Sequence, residues 1–564
     1  MPHVITQSCC SDGSCVYACP VNCIHPSPDE PDFATSEMLY IDPDACVDCG
    51  ACVSACPVGA ISPVAKLAPE QLPFVAINAA HYPDRRGAKL PPTSKLAPVL
   101  PAPKVRRGAM PLTVAIVGSG PAAMYAADEL LTQKGVQVNV FEKLPTPYGL
   151  VRAGVAPDHQ HTKGVTRLFD RISRRRGFSY YLNVEVGRHV SHAELLAHHH
   201  AVLYAVGAPN DRRLAIDGTD LPGCGTATEV VAWINGHPDF VGLPVPLATE
   251  RVLLIGNGNV ALDVARVLTA DSEMLARTDI SPVALDALRG SAVREVVIAA
   301  RRGPAESAFT LPELIGLTEA ADVVLDATDH ELVQADLATT TDPVTLAKLE
   351  ILRSLPVASG STERRIRLAY RMTPKRVLGA ASVSGVEFAK TGTDEVLTVD
   401  AGLVLTSIGY RGKPIPGLPF DEGAAVVPNR GGRVTGSSGP VPGVYVAGWI
   451  KRGPTGFIGT NKSCAMQTVS LLVDDFNDGL LTDPVGRAAL LDKLIRTRQP
   501  DVVDGDGWRA IDAAEIAKGA ADGRPRMKFT EVSAMLSAVS AAPPKSPVRR
   551  LVDHIPRIAS WSSS

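Results

Sequence analysis

The 564-residue chain has no surplus of either charge, its 56 basic and 59 acidic residues leaving a net charge of −3. That balance gives no reason to expect a nucleic-acid surface or a polybasic membrane anchor. No stretch approaches the about 18 uninterrupted apolar residues of a membrane span, and the opening MPHVITQ lacks the basic start and apolar core of an export signal. A soluble, cytoplasmic protein is expected, with neither nucleic acid nor membrane as partner. Cysteine is nearly missing from most of the chain. Only Cys224 and Cys464 follow Cys56, and no C-x-x-C occurs there, so a redox-active disulfide in the larger part is not expected.

The other nine of the 11 cysteines crowd into the first 56 residues. Such crowding without an export signal points to metal ligation rather than to a disulfide scaffold. Cys46, Cys49, Cys52 and Cys56, followed by Pro57, have the spacing C-x2-C-x2-C-x3-C-P, in which three thiolates grip one iron–sulfur cluster and the fourth reaches another. Zinc would more usually take two separated cysteine pairs. Upstream, Cys15, Cys19 and Pro20 repeat the C-x3-C-P ending, and pseudo-twofold symmetry hands Cys19 to the cluster of Cys46, Cys49 and Cys52. The other cluster has Cys15, Cys56 and either Cys9 or Cys10, because the first half reads C-C-x4-C where a regular motif would read C-x2-C-x2-C. Three thiolates suit a [3Fe-4S] cluster beside the [4Fe-4S] cluster; two [4Fe-4S] clusters are the alternative.

The runs VITQSC, CPVNCIH and YIDPDACVDCGACVSACPVGAI, within residues 2–62, resemble the seven-iron ferredoxins of bacteria. The resemblance implies that Cys9 is the first-half ligand and that Cys23 is not one. The spacing between Cys9 and Cys15 is compressed against that family, which leaves the role of Cys10 open.

From Pro63 to Pro111 the chain carries ten prolines, and residues 63–110 read as a linker, with Leu72, Phe74, Val75 and Ile77 able to form a short docked segment. Beyond it the pattern becomes strand, glycine turn, helix. The buried run Leu112 to Val117 leads into Gly118, Gly120 and Ala123, a G-x-G-x-x-A turn that suits a dinucleotide pyrophosphate at a helix N-terminus. Glu142, ending the strand VNVFEK, is placed to accept from a ribose hydroxyl. FAD or NAD could occupy such a site.

A second unit starts at Arg251: Val252 to Ile255 is a buried strand, Gly256, Gly258 and Ala261 make the turn, and Val260 to Leu268 a helix. Its next strand ends in Arg301 and Arg302, where a ribose-binding acid would otherwise stand, so a 2′-phosphate and hence NADPH is expected. Two apolar strands, Leu403 to Ile408 and Val444 to Ala447, precede a glycine-rich turn and a helix holding Met466, Val469 and Val473. The expected order is an FAD-binding first part at 111–210, an NADP-binding domain at 211–402, an FAD-binding second part at 403–540 and a loose tail at 541–564.

The segments LPTPYGLVRAGVAPDH and AGWIKRGPTGFIGTNKS resemble adrenodoxin reductase and its bacterial relatives, a similarity running from about Leu112 beyond Asp512. It implies FAD contacts at Ala123, Glu142, Leu150, Val186, Trp449, Gly456, Phe457 and Ile458. It implies NADP contacts at Asn257, Gly258, Asn259, Val260, Arg301, Arg302 and Glu313, with Arg212 and Gly456 in addition. His159 lies beside the flavin in that family, as a catalytic candidate for proton transfer or positioning, or as a structural histidine. The acid that relatives carry at the position of Gly316 is missing.

The expected fold is therefore multidomain: an α+β ferredoxin-like iron–sulfur domain, then two α/β dinucleotide-binding, Rossmann-like domains. The expected activity is an NADPH:ferredoxin oxidoreductase, passing hydride to FAD and single electrons to the fused clusters and to a ferredoxin or cytochrome P450. A glutamate synthase small subunit-like flavoprotein and a non-enzymatic iron–sulfur sensor are the alternatives; the second nucleotide turn argues against the sensor.

Overall fold

The computed structural model describes residues 2–82, 96–98, 102–106, 110–359, 363–393, 395–486 and 488–542. The tail expected at 541–564 lies, from residue 543 onward, outside the described residues.

The N-terminal unit is built on two short antiparallel ribbons, His3–Ile5 with Ile61–Pro63 and Ile24–His25 with Tyr40–Ile41. Two five-residue helices, Ser14–Ala18 and Ala51–Ala55, pack against each other. The stretch read as a linker begins with ordered structure that belongs to this unit. Helix Pro73–Ala80 buries Phe74 and Asn78. The Asn78 carboxamide accepts from the Ile5 and Ile41 N–H groups and donates to the Ile5 carbonyl, sewing the helix to both ribbons. The unit thus extends to about Tyr82, past the expected boundary at 62, because an edge of each ribbon needed a partner for its backbone groups.

Beyond it, a seven-stranded sheet joins chain segments far apart in sequence. Strands Gly439–Val446, Ala201–Tyr204, Thr113–Val117, Gln137–Glu142 and Phe178–Leu182 run parallel in that order. Parallel sheets are covered on both faces, and accordingly Val114 to Ile116 and Val202 to Leu203 are fully buried. The second sheet has six parallel strands, in the order Cys224–Thr226, Leu403–Thr406, Arg251–Ile255, Glu295–Ala299, Arg365–Ala369 and Val323–Leu325. Strand Leu403–Thr406 pairs with Val252 to Ile255. It therefore sits in the second nucleotide unit and not in the second FAD part, where the sequence reading began that part at 403. The chain returns to the first unit just afterwards, where Tyr410–Arg411 pairs with Asn210–Asp211, the outgoing crossing.

Buried charge ties the two nucleotide units together. Arg266 of the second grips Asp158 of the first at 2.6 and 3.0 Å. Asp279 receives Lys163 at 2.6 Å and Lys528 at 2.9 Å.

Candidate active site and iron–sulfur centres

All 11 cysteines are free thiols. Cys19, Cys46, Cys49 and Cys52 line one cavity together with Cys23, Val21 and Ile41. Cys23 lies 3.4 Å from the Cys19 sulfur, and hydrogen bonding from Cys23 holds the Cys46 thiol down to about 5 and that of Cys19 to about 6. Cys9, Cys10, Cys15 and Cys56 form the second group. Burial pushes the Cys9 thiol up to about 11, with Cys56 and Asp12 adding to it. Two sets of free thiols, buried or half-buried except for the exposed Cys49, are a donor set that fits iron–sulfur clusters.

The two halves repeat in backbone detail. Gly13 and Gly50, at φ 69° and 72°, open the two short helices, and Cys19 and Cys56 close them at φ −74°, ψ 117° and φ −72°, ψ 118°. Ser11 and Asp48 both stand at φ 56°. The halves therefore align as Cys9 with Cys46, Asp12 with Cys49, Cys15 with Cys52 and Cys19 with Cys56. In this alignment the two halves share one spacing, and Asp12 stands where the second half has Cys49.

In the flavoprotein, Gly118 turns the chain at φ 99° so closely under the next strand that a Cβ there would stand 2.5 Å from the Ala205 carbonyl oxygen. Helix Pro121–Leu131 follows, with Pro121 at its first turn and Ala123 fully buried. Glu142 accepts from the Ser119 hydroxyl at 2.7 Å and from the Leu144 N–H at 3.1 Å, and burial raises its pKa. Gly149 lies against Gly120, which sets the exposed side chain of Leu150 beside the turn. Val186 follows Val184, whose N–H donates to the Glu142 carbonyl. Gly448 abuts Ala122, a Cβ at Gly448 falling 2.7 Å from the Ala122 methyl, and so brings Trp449 and the turn of Gly456, Phe457 and Ile458 to the same region. Trp449 donates to the Thr455 carbonyl at 3.2 Å and packs at 5.1 Å on Tyr410. The glycine turn, an acid at the strand end and the exposed Leu150 beside them fit an FAD.

In the second unit, Gly256 and Gly258 lead into helix Asn259–Thr269, with Val260 half-buried. The Asn257 and Asn259 side chains accept from the Ala308 and Thr310 N–H groups, pinning the next loop over the turn. Arg301 and Arg302 are exposed just past strand Glu295–Ala299. Arg212 donates its N–H to the Gly409 carbonyl at the domain crossing.

His159 stands where the two units meet. Its Nε2 accepts from Arg266 at 2.9 Å, which leaves the ring proton on Nδ1, 3.9 Å from Asp263. Glu313 lies 3.9 Å from Nε2, its Oε2 buried without a hydrogen-bond partner among the described residues and its pKa raised by burial and by Asp263. His159, Asp263 and Glu313 are close enough to share a metal ion. The Arg266 guanidinium among them already supplies the positive charge, so they are not read as a metal centre. Asp158, Asp263 and Arg266 escaped the sequence reading. The available signal was charge at Asp263 and Arg266, i and i+3, on a helix otherwise apolar. The Gly316 position is also explained: a Cβ there would overlap the Gln7 carboxamide, contributed by the iron–sulfur unit.

That unit is seated against both nucleotide units. Gly459 donates its N–H to the Cys10 carbonyl at 2.7 Å, Lys462 donates to the Ser14 hydroxyl at 2.7 Å, and Glu37 accepts from the Leu311 N–H at 2.6 Å and pairs with Lys348. Cys10, Val58 and Ala60 share one apolar core with Ala122 to Ala127.

Comparison with known proteins accords with this architecture. Residues 39–62 match the family described as 4Fe-4S binding domain, and residues 112–300 the pyridine nucleotide-disulphide oxidoreductases. The chain is 72% identical over 559 residues to a protein of Mycobacterium tuberculosis named probable ferredoxin/ferredoxin–NADP reductase, covering 98% of this chain and 97% of the relative. It is 40% identical over 453 residues to the NADPH-ferredoxin reductase FprA of the same organism, covering 76% of this chain and 98% of that one. The structure of FprA from that species in complex with NADPH aligns at a TM-score of 0.70 and 39% identity, over 76% of this chain and all of the other. With an iron–sulfur unit seated on two dinucleotide folds and such similarity over nearly its full length, the chain belongs to the ferredoxin/ferredoxin–NADP reductase family.

Proposed function

We propose that the chain oxidises NADPH and delivers the electrons singly, through its own iron–sulfur unit, to an acceptor protein such as a ferredoxin or a cytochrome P450. Bound FAD supplies the conversion from a two-electron hydride donor to one-electron carriers, and the clusters a one-electron relay. Gly118, Gly120, Ala123, Glu142, Leu150, Val186, Trp449, Gly456, Phe457 and Ile458 hold the FAD. Arg212, Asn257, Gly258, Asn259, Val260, Arg301, Arg302 and Glu313, with Gly456, hold the NADPH. Cys19, Cys46, Cys49 and Cys52 hold one cluster; Cys9, Cys15 and Cys56 hold the other. In domain terms, residues 2–82 carry the clusters, 111–210 and about 412–542 the flavin, and 211 to about 406 the nucleotide. His159 keeps one protonated nitrogen toward Asp263 and is oriented by Arg266, which suits a positioning role.

One observation carries the reading: the hydrogen bond from Gly459 to Cys10 joins the loop of the Cys9, Cys15 and Cys56 centre to the turn beside Gly456 to Ile458. That centre is the flavin-side one. The centre of Cys19, Cys46, Cys49 and Cys52 faces outward, with Cys49 exposed. Anaerobic mixing with NADPH is expected to bleach flavin and cluster absorbance in the intact protein; clusters that stay oxidised while the flavin bleaches would refute the relay.

A chain beginning at residue 102 is expected to keep FAD and to reduce an artificial two-electron acceptor with NADPH. It retains the contacts of Val105 and Arg106 with Gln133 and Asn477. Reduction of a one-electron protein acceptor is expected to fall, since the carrier held at an effective ~1 mM is gone. Flavin fluorescence after gel filtration and acceptor assays check both halves of this expectation.

A further inference from the structure

Helix Leu311–Ala320 lies between the iron–sulfur unit and the second nucleotide unit. Its Leu314 and Leu317 belong to the core of the nucleotide unit, whereas Leu311 and Ile315 are buried in the core of the iron–sulfur unit. The start of the helix lacks a cap of its own. The Thr310 side chain, in the capping position, makes no capping bond. Its hydroxyl accepts instead from the Asn259 carboxamide at 3.3 Å, and its N–H donates to Asn259 Oδ1 at 2.9 Å. Pro312 has no N–H, so Leu311 carries a first-turn donor that needs an acceptor from elsewhere. Glu37, 274 residues earlier, supplies it: one carboxylate oxygen accepts from the Leu311 N–H at 2.6 Å. The other pairs with Lys348, only 8% exposed on helix Pro343–Ser354. A negative charge at a helix start also suits the helix dipole. Two residues on, Glu313 stands 3.9 Å from His159 Nε2. One helix end thus ties the glycine turn, the iron–sulfur unit and the His159 cluster together.

We propose that Glu37 of the iron–sulfur unit is a positioning residue of the nucleotide site: by capping helix Leu311–Ala320 it holds Thr310 on the Asn259 turn and Glu313 beside His159. NADPH then binds most tightly when the iron–sulfur unit is docked. This rests on the assignment of Asn259 and Glu313 to the nucleotide under Proposed function. Such coupling is reciprocal, so the factor by which docking tightens the nucleotide is the factor by which the nucleotide tightens docking. The electron relay is therefore held in place most firmly when the electron donor is bound.

The test uses the full-length holoprotein and measures the dissociation constant of NADP+ from the flavin difference spectrum. Lys348→Met serves as the background, because it removes the buried ammonium that a change at Glu37 would strand. On it, Glu37→Gln keeps an oxygen for the Leu311 N–H and Glu37→Ala does not. The alanine variant is expected to bind NADP+ roughly fivefold more weakly than the glutamine variant, the usual size of a lost helix cap. The KM for NADPH with an artificial two-electron acceptor is expected to rise by the same factor. The preference for NADPH over NADH should stay as it was, since the 2′-phosphate is held elsewhere. In the natural protein, amide exchange in the iron–sulfur segments around Gln7 and Glu37 is expected to slow when NADP+ is added, which keeps the test decisive should the alanine variant fold poorly. Equal NADP+ binding by the glutamine and alanine variants overturns the proposal. So does a loss seen with NADPH and not with NADH, and so does exchange that NADP+ leaves unchanged. If Asn259→Ala and Glu313→Gln both leave NADP+ binding as it was, the nucleotide-site assignment fails instead.

Discussion

Glutamine at both Arg301 and Arg302 is expected to weaken NADPH binding by roughly ten to a hundredfold, since losing a charged hydrogen bond to a phosphate costs about 1.5–3 kcal/mol. NADH, lacking the 2′-phosphate, is expected to bind almost as before. The backbone at this strand end is fixed from the other side: the Arg302 carbonyl accepts from the Arg371 N–H and the Arg301 carbonyl from the Thr391 hydroxyl. The side chains are then presented from a rigid base. Arg302 has one exposed ion pair, with Glu306 at 3.5 Å, and such a surface pair is worth little against a dianionic phosphate. Titrating both nucleotides against the double variant checks the assignment, and equal losses for the two would refute it.

Asp279→Ala is expected to cost about 3–5 kcal/mol of stability, the range for breaking a buried ion pair by removing one partner. Lys163 and Lys528 both lie against this carboxylate and both donate to Asn235 at 3.0 Å. Burial, with Lys163 adding to it, already pulls the Lys528 ammonium well below the ordinary lysine range, and Asp279 is the group that opposes this. Burial alone would raise the Asp279 pKa; the ammonium groups of Lys528 and Lys163 outweigh it and hold the carboxyl well below the usual carboxylate range. The folded-state pKa is therefore the depressed one. Its contribution to stability is complete above the unfolded value, about 3.9, and is lost as pH falls from there through the folded value. Denaturant midpoints followed by flavin release should show a large drop for Asp279→Ala at neutral pH. That gap should narrow as the solution is acidified, and a gap independent of pH would remove the charge from the explanation.

Local signals carried most of the site. The buried strand before Gly118, the turn and the helix at Pro121 are neighbours in sequence, and so are their equivalents around Gly256. The cysteine spacing at 46–56 works for the same reason. What escaped the sequence was pairing between distant segments. Leu403–Thr406 is an apolar β run that would read identically in either sheet, and only its partners at Val252 to Ile255 settle which one holds it. The docked helix Pro73–Ala80 hid behind the prolines around it, since the residue that fastens it, Asn78, is a polar side chain whose targets lie far back at Ile5 and Ile41. Asp12, the first-half counterpart of Cys49, was passed over because a search for cysteines alone cannot see it; laying residues 9–19 over 46–56 would have found it. Asp158, Asp263 and Arg266 became visible as one set only when the two nucleotide units were brought together around His159.

The seam between Cys10 and Gly459 also sets an order of events during synthesis. Domains generally fold as they leave the ribosome, N-terminal first, at ~5–20 residues per second, so the roughly 450 residues from Cys10 to Gly459 take on the order of half a minute to a minute and a half to make. Throughout that interval the iron–sulfur unit has its own ribbons and the helix Pro73–Ala80, while the surface that will cover Cys10 does not yet exist. The loop of Cys10 and Ser14 is then uncovered, and the arrival of Gly459 and Lys462 closes over it.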